Sequence, residues 1–209
     1  MQTVPVSEMV KAVKIILDEN MDNNSILSDD SNQLQQDELI KSRVVDAVRA
    51  VHEAASSEML DDGLNMPAAP VTLQDGSGYI DLPSDFMRLI IFELNTWRRP
   101  VTSPISDTDP KYYMQKSRFL GIRGGPEKPV CAITTGVDGR VLEFYSVAPG
   151  SQAVVRKAKY LPLPVIDNGN IDVCKKLYTP ILWECAGLVA LTYKDEFAKS
   201  FFEVSKSYI

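Results

Sequence analysis

Val130-Cys131-Ala132-Ile133-Thr134, then Gly136-Val137-Asp138-Gly139, then Val141-Leu142-Glu143-Phe144-Tyr145 is the stretch that decides how this chain is read. Two runs of β-branched and aromatic residues on either side of an Asp-Gly turn predict a β-hairpin. Upstream, Met87-Arg88-Leu89-Ile90-Ile91-Phe92-Glu93-Leu94 is a further strand run. Downstream, Pro149-Gly150 turns the chain into a strand from Ala153 to Tyr160, with Lys157 and Lys159 on one face and Arg156, Ala158 and Tyr160 on the other. Between these runs, Asp109-Pro110-Lys111-Tyr112-Tyr113 predicts one or two helical turns, capped by Asp109 with proline at the first position.

On both sides of this β-rich middle the period changes to that of helices. Met9, Val10, Val13, Ile16 and Leu17 share one face, opposite Glu8, Lys11, Lys14 and Asp18. A polar loop over residues 20–36 follows, long for a structureless connection, and it is either mobile or ordered by a neighbour. A second helix is expected from near Asp37, its N-cap, to about Leu60, with the stripe Ile40, Val44, Ala47, Val48, Val51, Ala55 and Met59. Gly63 and Asn65-Met66-Pro67 end the helical pattern. After a connector at Leu161-Pro162-Leu163-Pro164 and Asp167-Asn168-Gly169-Asn170, residues Ile181, Leu182, Cys185, Leu188, Val189 and Thr192 form a helical face, with Thr179-Pro180 starting or kinking that helix. Phe197, Phe201, Val204 and Tyr208 continue the spacing. The expectation is therefore an α+β fold: a helical bundle built from the N- and C-terminal segments, 1–75 and 163–209, with an antiparallel β domain over 76–162 inserted between them.

Composition narrows the function classes. Of 209 residues, 44% are hydrophobic and 24% charged, enough to build a core. The net charge of −6, from 22 Lys and Arg against 28 Asp and Glu, argues against a dedicated nucleic-acid binder. No apolar run approaches the roughly 20 residues of a membrane helix, and Met1-Gln2-Thr3-Val4-Pro5 lacks the start of a secretory signal, so a soluble chain made in a cytoplasm is expected. Charge is uneven: residues 1–75 carry 14 acidic and 5 basic groups, residues 76–209 carry 14 and 17. That split is either a pair of solvated faces or a means for one copy to meet another front to back.

No catalytic constellation is legible. Cys131, Cys174 and Cys185 form no metal-type or disulfide spacing, and the one histidine, His52, lies in a helical pattern with no ligand cluster around it. The pairs Asp29-Asp30 and Asp61-Asp62 read as solvated turns, and Gly121-Ile122-Arg123-Gly124-Gly125-Pro126 matches no phosphate-binding pattern. The chain is read as a protein without enzymatic activity, metal or cofactor. Candidate protein-interface residues are Trp97, Arg98 and Arg99, where the indole either anchors a partner or folds onto the core, and Phe202, Lys206, Tyr208 and Ile209, which are either buried in the monomer or dock on another subunit.

Tyr79-Ile80-Asp81-Leu82-Pro83-Ser84-Asp85-Phe86-Met87-Arg88-Leu89, running on to Trp97-Arg98-Arg99-Pro100-Val101, resembles the head–tail adaptors of short-tailed phages, the connector or tail tubular A type. The likeness continues through Pro129-Val130-Cys131-Ala132-Ile133 and Leu142-Glu143-Phe144-Tyr145-Ser146 to a final helix with Trp183, Cys185-Ala186 and Leu188-Val189-Ala190-Leu191. The resemblance implies a structural virion protein of the neck, a ring homo-oligomer, commonly a dodecamer, between the portal protein and the next tail or neck ring. The ring would continue the DNA channel without sequence-specific binding and without a membrane partner. The other reading is a soluble phage tail-assembly or fibre-docking module without enzymatic activity. A glycan hydrolase is the third and lacks the site it would need.

Overall fold

A computed structural model describes residues 1–20, 30–67, 69–117, 119, 122–136, 139–147 and 150–209, without the side chains of 18–20 and 30–35. Residues 21–29 of the loop expected over 20–36 lie outside the described residues, as do Gly121, Val137, Asp138 and Pro149. The chain divides into two compact units, Met1–Asp61 with Leu163–Ile209, and Asp62–Pro162.

In the first unit, strand β1 (Gln2–Pro5) leads into helix α1 (Val6–Asn20), and α2 spans Asp30–Ala54. Val6, Met9, Val10, Val13 and Leu17 of α1 are buried, as are Ile40, Val44, Ala47, Val48 and Val51 of α2. The start of α2 differs from expectation. Asp37 is not the cap but lies inside the helix, its carboxylate paired with Lys14 of α1. Residues 30–36 contain neither Gly nor Pro, so nothing stops the helix from running past its apolar stripe. At the other end it stops at Ala54 rather than Leu60. Ser56-Ser57 favour a turn over helix, and the Met59 N–H bonds Ser56 O at 3.0 Å.

Helix α4 (Tyr178–Thr192) is buried on most sides, through Ile181, Leu182, Cys185, Ala186, Val189 and Ala190, and α1, α2 and α5 (Ala198–Ser207) pack around it. Pro180 lies in its first turn and so costs no hydrogen bond. At Gly187 a Cβ would sit 2.7 Å from the Phe202 ring, so the missing side chain is what lets Phe202 of α5 lie against α4.

This unit is not a helical bundle alone. Strands β10 (Ile166–Asp167) and β11 (Asn170–Val173) form a hairpin, and β1 pairs antiparallel with β11, Gln2 facing Val173 and Pro5 facing Asn170. Asn168 and Gly169 turn it with φ of 47° and 76°, both left-handed as a type I′ turn requires. The Gly169 carbonyl then accepts the Val6 N–H at 2.9 Å, satisfying a donor at the start of α1.

The described residues of the second unit form two sheets. One has the order β2 (Leu64–Asn65), β9 (Val155–Pro162), β5 (Phe86–Leu94). The other has the order β3 (Val71–Thr72), β4 (Gly78–Asp81), β8 (Arg140–Phe144), β7 (Cys131–Thr135), β6 (Ile105–Ser106). The β7–β8 hairpin pairs Cys131 with Phe144 and Thr135 with Arg140. Residues 62–75, grouped with the helices in the sequence reading, pair instead with β9 and β4 and place Met66 in the core. The β5–β9 ladder shifts register three times, which breaks strict alternation and buries Phe86, Leu89, Phe92 and Leu94. Phe92 of one sheet meets Phe144 of the other at 5.9 Å between ring centroids.

The expected fold class is therefore corrected. The chain is mixed α and β, with three sheets among the described residues, not a helical bundle carrying one inserted antiparallel domain. Two physical reasons account for it. A terminal strand finds its partner only through a hairpin some 170 residues away in the chain. In addition β6 pairs parallel to β7, which the intervening crossover containing α3 (Pro110–Gln115) makes possible.

Candidate functional site

The Leu82-Pro83-Ser84-Asp85-Phe86 segment makes the tight entry to β5, with the Phe86 N–H bonding Pro83 O at 3.0 Å. Asp85 accepts the Tyr160 hydroxyl at 3.0 and 3.1 Å, and Phe86 stacks on the Tyr160 ring at 5.8 Å. The motif thus clamps β5 to β9 by a carboxylate and a ring acting together. At the far end of β5 the chain returns, Phe92 and Val101 exchanging two backbone hydrogen bonds of 2.8 Å.

That return settles Trp97. It folds the indole inward, 3% exposed and edge-on to Phe92 at 5.5 Å, so Trp97 is a core residue and not a partner anchor. Arg98 and Arg99 stay exposed. Arg98 pairs with Glu127 at 2.9 Å, an open surface pair that contributes little to stability.

The C-terminal candidates are split as well. Phe202 is half-buried against Gly187, and the neighbouring Phe201 is buried at 5.8 Å from Trp183. Ser205, fully buried, donates to Pro180 O at 2.9 Å and ties α5 to the start of α4. Lys206 and Tyr208 remain exposed, and Ile209 is half-buried.

The densest polar constellation was not singled out by the sequence reading. Glu143 of β8 accepts three hydroxyls, from Tyr145 at 2.6 Å, Tyr112 at 3.0 Å and Thr134 at 2.9 Å. Glu143, Tyr145 and Tyr112, with Asp75, Tyr79 and Lys116, line a cleft of about 360 Å³. Its signal was alternation: Glu143 sits among buried Leu142 and Phe144, where a carboxylate must find donors. Burial first, then the Glu143 hydrogen bond, pushes the Tyr145 phenol far above its ordinary value, and Tyr112 shifts the same way. Both phenols are therefore protonated hydrogen-bond donors at neutral pH, held on the Glu143 carboxylate.

His52 and Cys174 do meet, but not as a catalytic pair. The Cys174 N–H donates to His52 Nε2 at 3.2 Å, which occupies the nitrogen that would act as base. Burial lowers the imidazole pKa to about 4, against an opposing pull from Asp61, and burial also raises the Cys174 thiol. A neutral acceptor and a protonated thiol are a packing arrangement. In the glycine-rich segment, the Gly124 N–H is already bonded to Gln115 Oε1 at 2.8 Å, leaving it unable to cradle a phosphate.

Among the described residues no group of three or more His, Cys, Asp or Glu is placed to hold a metal ion, and no helix is long and apolar enough to cross a membrane. A further surface missed by the sequence reading is a run of large apolar side chains held in solvent: Tyr113, Met114, Phe119 and Ile122, each more than half exposed. Its signal was aromatics interleaved with Lys and Arg. No family model matches the chain, and no curated protein matches it either.

Proposed function

We propose that this chain is a structural protein of a phage virion, a head–tail adaptor that assembles as a closed, commonly dodecameric ring between the portal and the next tail or neck ring. The observation that carries this reading is the ordered motif series from Tyr79 to Val101, whose resemblance to such adaptors extends to Leu191. Support comes from what the motif does physically. Asp85 and Phe86 lock β5 to β9, and Val101 closes the return, so the shared residues are the ones that brace a β module.

Closing a ring requires heterologous contacts, in which one patch meets a different patch on the next copy. The two units differ in sign as such contacts favour. Residues 1–61 with 163–209 carry 18 acidic and 10 basic groups, residues 62–162 carry 10 and 12. A chain of net charge −6, repeated around a channel, also lets DNA slide, since fixed cations would hold its phosphates. The test is electron microscopy of the purified chain, alone and mixed with purified portal. Rings, or rings that form on the portal, support the adaptor; a strict monomer in both samples sinks it.

A further inference from the structure

The segment from Pro110 to Val130 joins exposed apolar surface to concentrated positive charge. Tyr113 is 70% exposed, Met114 51%, Phe119 74% and Ile122 53%. The same 21 residues carry five basic groups, Lys111, Lys116, Arg118, Arg123 and Lys128, against one acidic group, Glu127, in a chain whose net charge is negative. Met114, Ile122 and Val130 line a groove of about 530 Å³ whose charged lining is Lys111, Arg123 and Lys128 against Glu127.

Hydrogen bonds brace the described residues around the groove. Buried Gln115 bonds in two directions, its Nε2 donating to Lys111 O at 3.0 Å and its Oε1 accepting from Gly124 N at 2.8 Å. The Ser146 hydroxyl donates to the Gly124 carbonyl, and Arg123 donates to Asp75 O at 3.0 Å. Fixing apolar side chains in water loses roughly 25 cal/mol for each Å² left uncovered. An anchored cluster of this kind is the usual mark of a surface that another molecule covers.

We infer that the groove lined by Lys111, Met114, Ile122, Lys128 and Val130 is a docking surface between copies, and that its occupant is the acidic helical unit of a second copy of this chain. The commitment to that occupant rests on charge: the groove's Lys111 and Lys128 meet a unit with 18 acidic against 10 basic groups. This rests on the ring reading and names the patch through which one copy grips the next. It also places the groove's cationic groups between subunits, away from phosphates moving through a channel.

Two variants of the full chain test it, Met114→Ser with Ile122→Ser, and Lys111→Glu with Lys128→Glu. All four positions are solvent-facing, so far-UV circular dichroism and the melting temperature should stay at wild-type values. Sedimentation velocity should show assembly shifted to at least about tenfold higher protein concentration for each variant, equivalent to about 1.4 kcal/mol. Zero-length carbodiimide coupling of mixed heavy- and light-isotope chains should join Lys111 or Lys128 to Asp or Glu within residues 1–61 or 163–209 of another copy. Wild-type assembly by both variants, or inter-copy links that avoid the helical unit, overturns the inference and leaves the ring intact. Variants that form rings normally but no longer bind purified portal overturn it in favour of a portal contact. A wild-type chain that stays monomeric with portal present overturns the ring reading, and this inference with it.

Discussion

His52 makes the stability of the helical unit depend on pH in a window where few other side chains titrate. Its imidazole is 1% exposed, accepts the Cys174 N–H, and has its pKa lowered by burial from 6.5 to about 4. The folded state therefore binds a proton less readily than the unfolded chain. The stability that neutral His52 supports is complete above pH 6.5 and is lost as pH falls from there toward the folded value. With those two pKa values the loss is about 2 kcal/mol at pH 5 and about 3 kcal/mol at pH 4, and it levels off at about 3.4 kcal/mol near pH 3. Asp61 and Asp75, whose carboxyl groups are held below their ordinary value, add their own loss only at lower pH. The assay is urea unfolding followed by far-UV circular dichroism, which the helices dominate, at several pH values between 7 and 4. His52→Gln keeps an acceptor for the Cys174 N–H but cannot titrate. It should be less stable than wild type at neutral pH yet lose the slope between pH 6.5 and 4. A flat wild-type profile over that range, or the same slope in the glutamine variant, refutes the reasoning.

Two further outcomes follow from packing and hydrogen bonding. Gly187→Ala puts a methyl group 2.7 Å from Phe202 and should destabilise by about 1 kcal/mol net, overpacking outweighing the gain in helix propensity. In a Phe202→Ala background the same change should instead stabilise by about 1 kcal/mol, and equal effects in both backgrounds would disprove the contact. Tyr145→Phe removes the 2.6 Å hydrogen bond to Glu143 and should cost about 1.5–3 kcal/mol in urea unfolding, as for hydrogen bonds to charged groups. A change under about 0.5 kcal/mol would show that the carboxylate does not depend on that phenol.

The candidate surfaces were only partly legible. Whether Trp97 faces a partner or the core is not contained in Trp-Arg-Arg-Pro, because the answer depends on the Val101 return and on Phe92 lying beneath the ring. Phe202 next to Phe201 could not be placed until Gly187, fifteen residues earlier and on another helix, offered the gap that receives it. The exposed side chains from Tyr113 to Ile122 carry a local hint, aromatics among Lys and Arg, but exposure is a property of what fails to pack, which that hint alone does not fix. Glu143 looked like one polar residue in a hairpin. Only the approach of Tyr112 from α3 and Thr134 from the neighbouring strand made it the centre of a network.

What the sequence by itself determined were the local states: the stripes of α1 and α2, the β7–β8 hairpin flanking Asp-Gly, and the Asp109-Pro110 start of α3, where the Asp109 carboxylate accepts the Lys111 N–H at 2.8 Å. Each is set by periodicity or capping within a few residues, so the interactions that fix it are close in the chain. Asn168-Gly169 belongs with them, a two-residue hairpin signal within the segment the sequence reading treats as a connector. The tertiary structure alone decided that Gln2–Pro5 is a strand, that residues 62–75 belong with the sheets, and that β6 runs parallel to β7. These are pairings between segments far apart in sequence. Four residues such as Gln2–Pro5 carry too little pattern to choose strand over coil until a partner edge supplies the hydrogen bonds.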